Sequence, residues 1–346
     1  MIARTQPLTA TPRPKIADVA AAAGVSVPTV SKVLNGRSHV SEATRAKVRQ
    51  ALEELDYTKR NVPADQPGLL QLVVNNFDSP WVLEIMEGAE AAAARLGYSI
   101  VYTRAEHATA ENWRKLRESS ANRLAGVVLL APRRGSRLVT TLRSLNIPAV
   151  AVDPEGTEGL TIPSVSPASF SGALAAVGHL LELGHRRIGI ITGRGHGSGH
   201  SRARYAAYAA ALHEAGLPVL PELVRDGDFS IESGVRHGGD LLDLPEPPTA
   251  IFAANDLQAL GVMNAAAGRS LKIPGDISIV GFDDIAQAAL MSPPLTTVRQ
   301  PLAQLASMAV GIVVEQLEQQ GPAVPAALEV ATELVVRGTT APPRVR

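Results

Sequence analysis

The sequence predicts an all-α helix-turn-helix head joined to an α/β body. Three observations predict it. Charge is split along the chain, a glycine turn separates two short amphipathic segments near the start, and from Leu69 apolar strand-like runs alternate with helical stretches. The 346 residues carry 33 Lys+Arg and 33 Asp+Glu, a net charge of zero. Residues 1–60 nevertheless hold ten basic and five acidic residues, so the head is +5 and the remainder −5. That asymmetry is expected of a nucleic-acid-binding module attached to something else, although charge alone does not separate this from a chance imbalance.

The composition sets outer bounds. With 45% hydrophobic and 19% charged residues and a mean hydropathy of +0.08, the chain reads as globular. The absence of cysteine excludes a disulfide scaffold, a Cys-ligated zinc and a thiol nucleophile. No apolar run approaches the roughly 18 residues of a membrane span. The first residues, Met1 to Pro7, lack the apolar core of a secretory signal, so a cytoplasmic protein is expected.

Residues 1–14, rich in Pro and Thr, read as a disordered tail, and 15–57 as the helix-turn-helix domain. Ile16, Val19, Ala20 and Ala23 stand at helical spacing, and Gly24 supplies the left-handed turn that ends the first helix. Ser26 is a natural N-cap and Pro28 falls in the first turn, predicting a second helix over about Val27–Leu34. Ser41 caps a third, running to Leu55, with Val48, Ala51, Leu52 and Leu55 inward. The second helix would present Val27 and Pro28 to thymine methyls and Lys32 to guanine or phosphate. Ser26, Thr29, Ser31, Asn35 and His39 suit phosphate oxygens. A structural three-helix domain with a solvated basic face fits the same pattern.

In the body, strands are expected at Leu70–Asn75, Ser99–Thr103, Gly126–Leu130, Ala149–Asp153, Arg187–Thr192, Ala250–Ala253 and Ile277–Phe282. Helices are expected at Trp81–Leu96, Ser169–Leu183, Arg202–Ala215 and Asp256–Ala267, with a late one over Gln300–Gln320. Such alternation implies parallel sheets covered on both faces, with ligands beyond the strands' carboxyl ends. About 270 residues suits two lobes better than one.

The stretch from Ile16 to Asn35, and its continuation through Val40-Ser41-Glu42-Ala43-Thr44-Arg45 to Leu55-Asp56-Tyr57, resembles the head of the lactose/galactose repressor (LacI/GalR) family. The resemblance continues in Gly184-His185-Arg186-Arg187-Ile188, Asn255-Asp256, Val280-Gly281-Phe282-Asp283-Asp284 and Pro294 to Pro301. It implies two Rossmann-like lobes of the periplasmic-binding-protein type over residues 69–346. The N-lobe would span about 69–166 plus 299–327, the C-lobe about 167–298 plus 328–340, with strands crossing near Val165–Ala168, Val298–Gln300 and Leu328–Val335. It implies a transcriptional regulator, a repressor by family habit, that binds a near-palindromic double-stranded DNA operator as a homodimer. Its operator affinity would respond to a small carbohydrate held between the lobes.

The linker, residues 58–68, departs from that family. It contains Pro63, Pro67 and Gly68 and nothing that matches the hinge leucine that such repressors insert into the minor groove. A shortened hinge meeting its dimer mate through Val62 and a plain tether both fit. In the body the resemblance and the chemistry of sugar sites point to Asp78, Ser79, Trp81, Phe170, Arg204, Phe229, Asn255, Asp283 and Gln300 as effector contacts. Ala207 stands where the family usually has Gly.

Rival motifs do not hold. Gly193 to His200 fits neither the dinucleotide nor the Walker pattern and reads as a flexible loop over the cleft. His196 and His200 are four apart, but alternate glycines oppose the helix that zinc ligation would need. No G-x-S-x-G elbow occurs. No metal, cofactor or catalysis is therefore expected, and a solute-binding protein or enzyme on the same lobes is the alternative. The tail after Val335 has no tetramerising leucine heptads.

Overall fold

The computed structural model describes residues 16–34, 40–54, 68–118, 124–133, 135–193, 199–318 and 326–344. It divides into two compact units, residues 1–66 and 67–346. The expected tail over 1–14 and most of the linker lie outside the described residues, and Gly68, assigned to the linker above, opens the first strand.

The first unit contains α1 (Ile16–Ala23), α2 (Val27–Leu34) and α3 (Glu42–Glu54). Gly24 takes a φ of +64°, as the tight turn between α1 and α2 requires. The two predicted caps are both made. Thr29 N donates to Ser26 Oγ at 3.4 Å and Thr44 N to Ser41 Oγ at 3.3 Å. Val19, Ala20, Ala23, Val30, Val48 and Ala51 close a small core, joined by Val25, Val33 and Leu52.

The second unit carries two six-stranded sheets. The first is built from β1 (Gly68–Val74), β2 (Tyr98–Arg104), β3 (Leu124–Leu130), β4 (Ala149–Val152), β5 (Ser164–Pro167) and β11 (Ala327–Val330). They lie in the order β11-β5-β4-β3-β1-β2, all parallel. The second is built from β6 (Ile188–Thr192), β7 (Val224–Asp226), β8 (Ala250–Ala253), β9 (Ser278–Asp283), β10 (Thr296–Arg299) and β12 (Glu333–Val335). Its order is β12-β10-β9-β8-β6-β7, with only β12 antiparallel.

The inner strands of each sheet are buried on both faces, which is why they read as continuous apolar runs instead of alternating ones. On the first, α4 (Pro80–Arg95) and α11 (Leu302–Glu318) cover one face; α5 (Ala110–Glu118) and α6 (Arg137–Ser144) cover the other. On the second, α7 (Ser169–Glu182) and α8 (Gly199–Glu214) oppose α9 (Ile231–Leu242) and α10 (Asp256–Ala267). α5, α6 and α9 were not anticipated. They are short, of 9, 8 and 12 residues, and rich in polar residues.

The chain passes between lobes three times, after Pro167, after Arg299 and after Val330. The last position corrects the boundary inferred above. Residues 328–330 pair with β5 in the first lobe, and the crossing falls at Ala331–Thr332. His185 closes the end of α7, its N donating to Leu180 O at 3.0 Å, and its side chain also ties the tail to the sheet. Its ring contacts Thr249 Oγ1 at 2.9 Å, Ser278 Oγ at 3.1 Å and Ala341 O at 2.9 Å. Among the described residues no helix is long and apolar enough to cross a membrane.

Candidate functional site

Two sites emerge, one in each unit. In the head, α2 exposes Ser26 at its start, then Val27 and Pro28, with Thr29 half-buried behind them. Val27 is a large apolar side chain left 40% exposed beside the exposed Pro28, as a contact for thymine methyls would be. Ser31 and Lys32 lie on the same helix; Asn35 and His39 lie outside the described residues.

In the body, parallel strands deliver their carboxyl ends to one cleft between the lobes, with a volume of about 410 Å³. That is within the roughly 300–1,000 Å³ of small-molecule sites. The first lobe contributes the loop after β1, with Asp78, Ser79 and Trp81, and the ends of β3 and β4. The second contributes Arg204 from α8, Phe229 after β7, Asn255 after β8 and Asp283 at the end of β9. Gln300 stands on the second crossing. Eight of the nine effector candidates therefore share this cleft. Phe170 does not. It is 44% exposed on α7, because the residue turned inward at that helix start is its neighbour Ser169.

Backbone strain concentrates here. Ala131, Asp153, Phe229 and Asp283 have φ values of 44°, 47°, 70° and 123°, all in the region that favours glycine, and all four line the cleft. Phe229 presses its ring against Gly193, where an added Cβ would fall 1.9 Å from a ring atom, so a larger residue at 193 would have to displace that ring.

The polar wall is connected. Gln300 Nε2 donates to Asp283 Oδ1 at 2.5 Å, and Trp81 Nε1 donates to Gln300 Oε1 at 3.3 Å. Asn255 uses its Oδ1 to cap α10, accepting from Gln258 N at 2.9 Å, and its Nδ2 to hold Phe229 O at 3.1 Å. Asp256, next in sequence, turns away from the cleft. It accepts from Thr297 Oγ1 at 2.5 Å and Ile285 N at 2.9 Å and so fastens the loop after β9. Asp284 likewise points outward to Arg299 and Arg337 at 2.7 and 2.6 Å.

Arg204 is the cation of the site. Its guanidinium lies 3.7 Å from the centroid of the Phe282 ring and donates from Nη1 to Ala254 O, while its buried Nε–H has no partner. An unsatisfied buried donor costs about 1–3 kcal/mol, so such a group in a cleft wall marks a position for a ligand acceptor. His200 Nε2 is a second buried atom without a partner in the same wall. Sequence reasoning missed His200 and Asp153, treating the former only as a rejected zinc ligand. Local spacing gives no signal for either, since the pair forms between lobes.

Burial pushes the Asp283 carboxyl up to about 7, against the pull of Arg204 and the Gln300 hydrogen bond. A raised folded-state value means that the folded protein keeps a proton the unfolded chain has released. The resulting stability is complete below about pH 4 and is lost as pH rises through 7. We therefore expect the stability of effector-free Asp283→Asn relative to the parent to rise between about pH 4 and 7, at up to about 1.4 kcal/mol per pH unit, and to level off above that. Thermal melts across that range check it.

Known proteins share this layout. Residues 15–60 match the model of bacterial regulatory proteins of the lacI family, and 177–340 match a periplasmic-binding-protein-like domain. The HTH-type transcriptional repressor CytR of Escherichia coli K12 is 34% identical over 330 residues, covering 93% of this chain and 95% of CytR. PurR of Actinobacillus pleuropneumoniae serotype 3 is 32% identical over 327 residues, covering 93% and 97%. Among solved structures, a complex of the transcriptional regulator CelR with cellobiose has a TM-score of 0.71 at 30% identity, covering 94% of this chain and all of that one. A lac repressor dimer bound to operator and the anti-inducer ONPF has a TM-score of 0.69 at 30% identity, covering 95% and 100%. A helix-turn-helix head, two Rossmann-like lobes around a polar cleft, and likeness along nearly the whole chain together show that this protein belongs to the lacI family of bacterial regulatory proteins, DNA-binding repressors modulated by a small molecule.

Proposed function

We propose that the small molecule is a neutral carbohydrate and that the protein acts in the cytoplasm as a homodimer on a near-palindromic operator. The observation that carries the ligand class is the cleft itself. An unpartnered buried Arg204 donor faces a wall of carboxylate and amide acceptors, with Trp81 and Phe229 beside them. Sugars combine hydroxyls that both donate and accept with weakly apolar ring faces, which suits such a mixture. The cellobiose complex of CelR supports the same class. Two-fold pairing of heads is favoured because one short recognition helix reads too few bases for a unique site. In this reading Val27, Pro28 and Lys32 face bases, and Ser26, Thr29, Ser31, Asn35 and His39 face the phosphate backbone.

A thermal-shift screen against neutral mono- and disaccharides tests the ligand class. We expect at least one sugar to raise the melting temperature, and Asp283→Ala to remove that shift while DNA binding in the absence of sugar survives. Loss of both in Asp283→Ala would make Asp283 a structural residue.

A further inference from the structure

Asp153 ends β4 in the first lobe and His200 is the second residue of α8 in the second. His200 Nδ1 lies 3.0 Å from Asp153 Oδ1, and the two side chains are only 15% and 7% exposed. The contact is supported by the backbone beside it. A Cβ on Gly199 would fall 2.4 Å from Glu155 O, so the start of α8 can reach the turn after β4 only with glycine there. The pair thus joins the lobes across the mouth of the cleft.

We infer that His200 is a specificity-determining contact for the effector, and that Asp153 positions it from the opposite lobe. A carboxylate only accepts hydrogen bonds, so Nδ1 carries a proton, and in the neutral ring that we infer here Nε2 presents a lone pair. That Nε2 is buried and has no partner, and His200 is one of the residues that line the cleft. One helical turn on, Arg204 presents an equally buried Nε–H without a partner. Four residues apart, His200 and Arg204 share one face of α8 and would offer an acceptor and a donor to one ligand. Neighbouring hydroxyls of a sugar ring satisfy both, one donating to His200 and the other accepting from Arg204. A carboxylate or phosphate in the same place would turn lone pairs toward the Nε2 lone pair and toward the carboxylates of Asp153 and Asp283. The site therefore selects neutral polyols over sugar acids and sugar phosphates. Because the imidazole is oriented only while Asp153 holds it, ligand recognition and closure of the lobes become one event. The choice of sugar as probe rests on the function proposed above; the state of His200 does not.

Two measurements on the full-length protein decide the matter. In the first, ¹⁵N-histidine spectra of the sugar-free protein, with the His200 signals identified by their loss in His200→Gln, should show a protonated Nδ1 and a bare Nε2. A proton on Nε2, whether or not Nδ1 also carries one, would overturn the assignment. In the second, calorimetric titration compares D-glucose, D-ribose and cellobiose with D-gluconate and glucose 6-phosphate. The neutral sugar that binds should weaken by about 10- to 100-fold in His200→Ala and in Asp153→Asn, and the double variant should be no weaker than His200→Ala alone. Additive losses, or binding of the acids as tight as that of the neutral sugars, would contradict it. If no sugar binds the parent, the carbohydrate reading fails while the spectra still decide the state of His200.

Discussion

Arg204→Met is expected to abolish the effector response while the body stays folded. Arg204 is buried, and that burial lowers the guanidinium's affinity for the proton despite the nearby carboxylates of Asp283, Asp153 and Asp256. A charge-assisted hydrogen bond to a ligand in such a place is worth about 1.5–3 kcal/mol, so its loss should weaken binding by at least about tenfold and up to about 150-fold. Methionine keeps most of the packing over Phe282 and removes the unsatisfied Nε–H. Asp283, deprived of its counter-charge, answers by holding its proton more firmly, so no bare buried carboxylate is left. The melting temperature without effector should accordingly change little, and sugar should no longer raise it. Calorimetry and thermal melts on the same sample distinguish this from general unfolding.

Gly261→Ala is expected to have the largest effect on stability. α9 and α10 pack through glycines, and a Cβ on Gly261 would lie 2.3 Å from Ile231 O and 2.6 Å from Val235 N. Gly234 faces it in the same manner, 2.3 Å from Gln258 O. The obstructing atoms are backbone, so no side chain can swing aside and the helices must separate. Overpacking of this kind costs about 1–3 kcal/mol, with the upper end expected here even after the gain in helix propensity. The same helix pair carries Asn255 and Gln258, so effector binding should fall too. Gly178→Ala on α7 is the control. Nothing lies within 4 Å of the added Cβ, and a gain of about 0.5–1 kcal/mol is expected. Urea unfolding of both variants measures the difference.

These two residues also mark what the sequence could and could not reveal. Arg204, Asn255 and Asp283 were legible because they sit in family motifs at strand ends and helix starts. The caps at Ser26 and Ser41 were legible because capping is local chemistry. Phe170 was misplaced because a helix start turns consecutive side chains about 100° apart, and a one-residue uncertainty exchanges inside for outside. Asp153 and His200 were illegible for a different reason. Their partnership spans 47 positions and depends on Gly199 letting two backbones touch, which neither periodicity nor spacing records. The close α9–α10 contact was hidden likewise, since it depends on Gly234 and Gly261 letting two backbones approach.

The division of charge between head and body fits the account in a physical sense. A +5 head binds phosphate with an affinity that falls as salt rises, and a −5 body leaves that contact to the heads. The most direct test is fluorescence anisotropy of the full-length protein on duplexes tiling its own upstream region, at fixed moderate salt, with and without a sugar that raises its melting temperature. We predict that one duplex binds far more tightly than the rest. We also predict that the sugar shifts that affinity by about 5- to 150-fold, and that Arg204→Met binds the same duplex without the shift. Equal binding to all duplexes, or an affinity indifferent to a sugar that demonstrably occupies the cleft, would contradict the account.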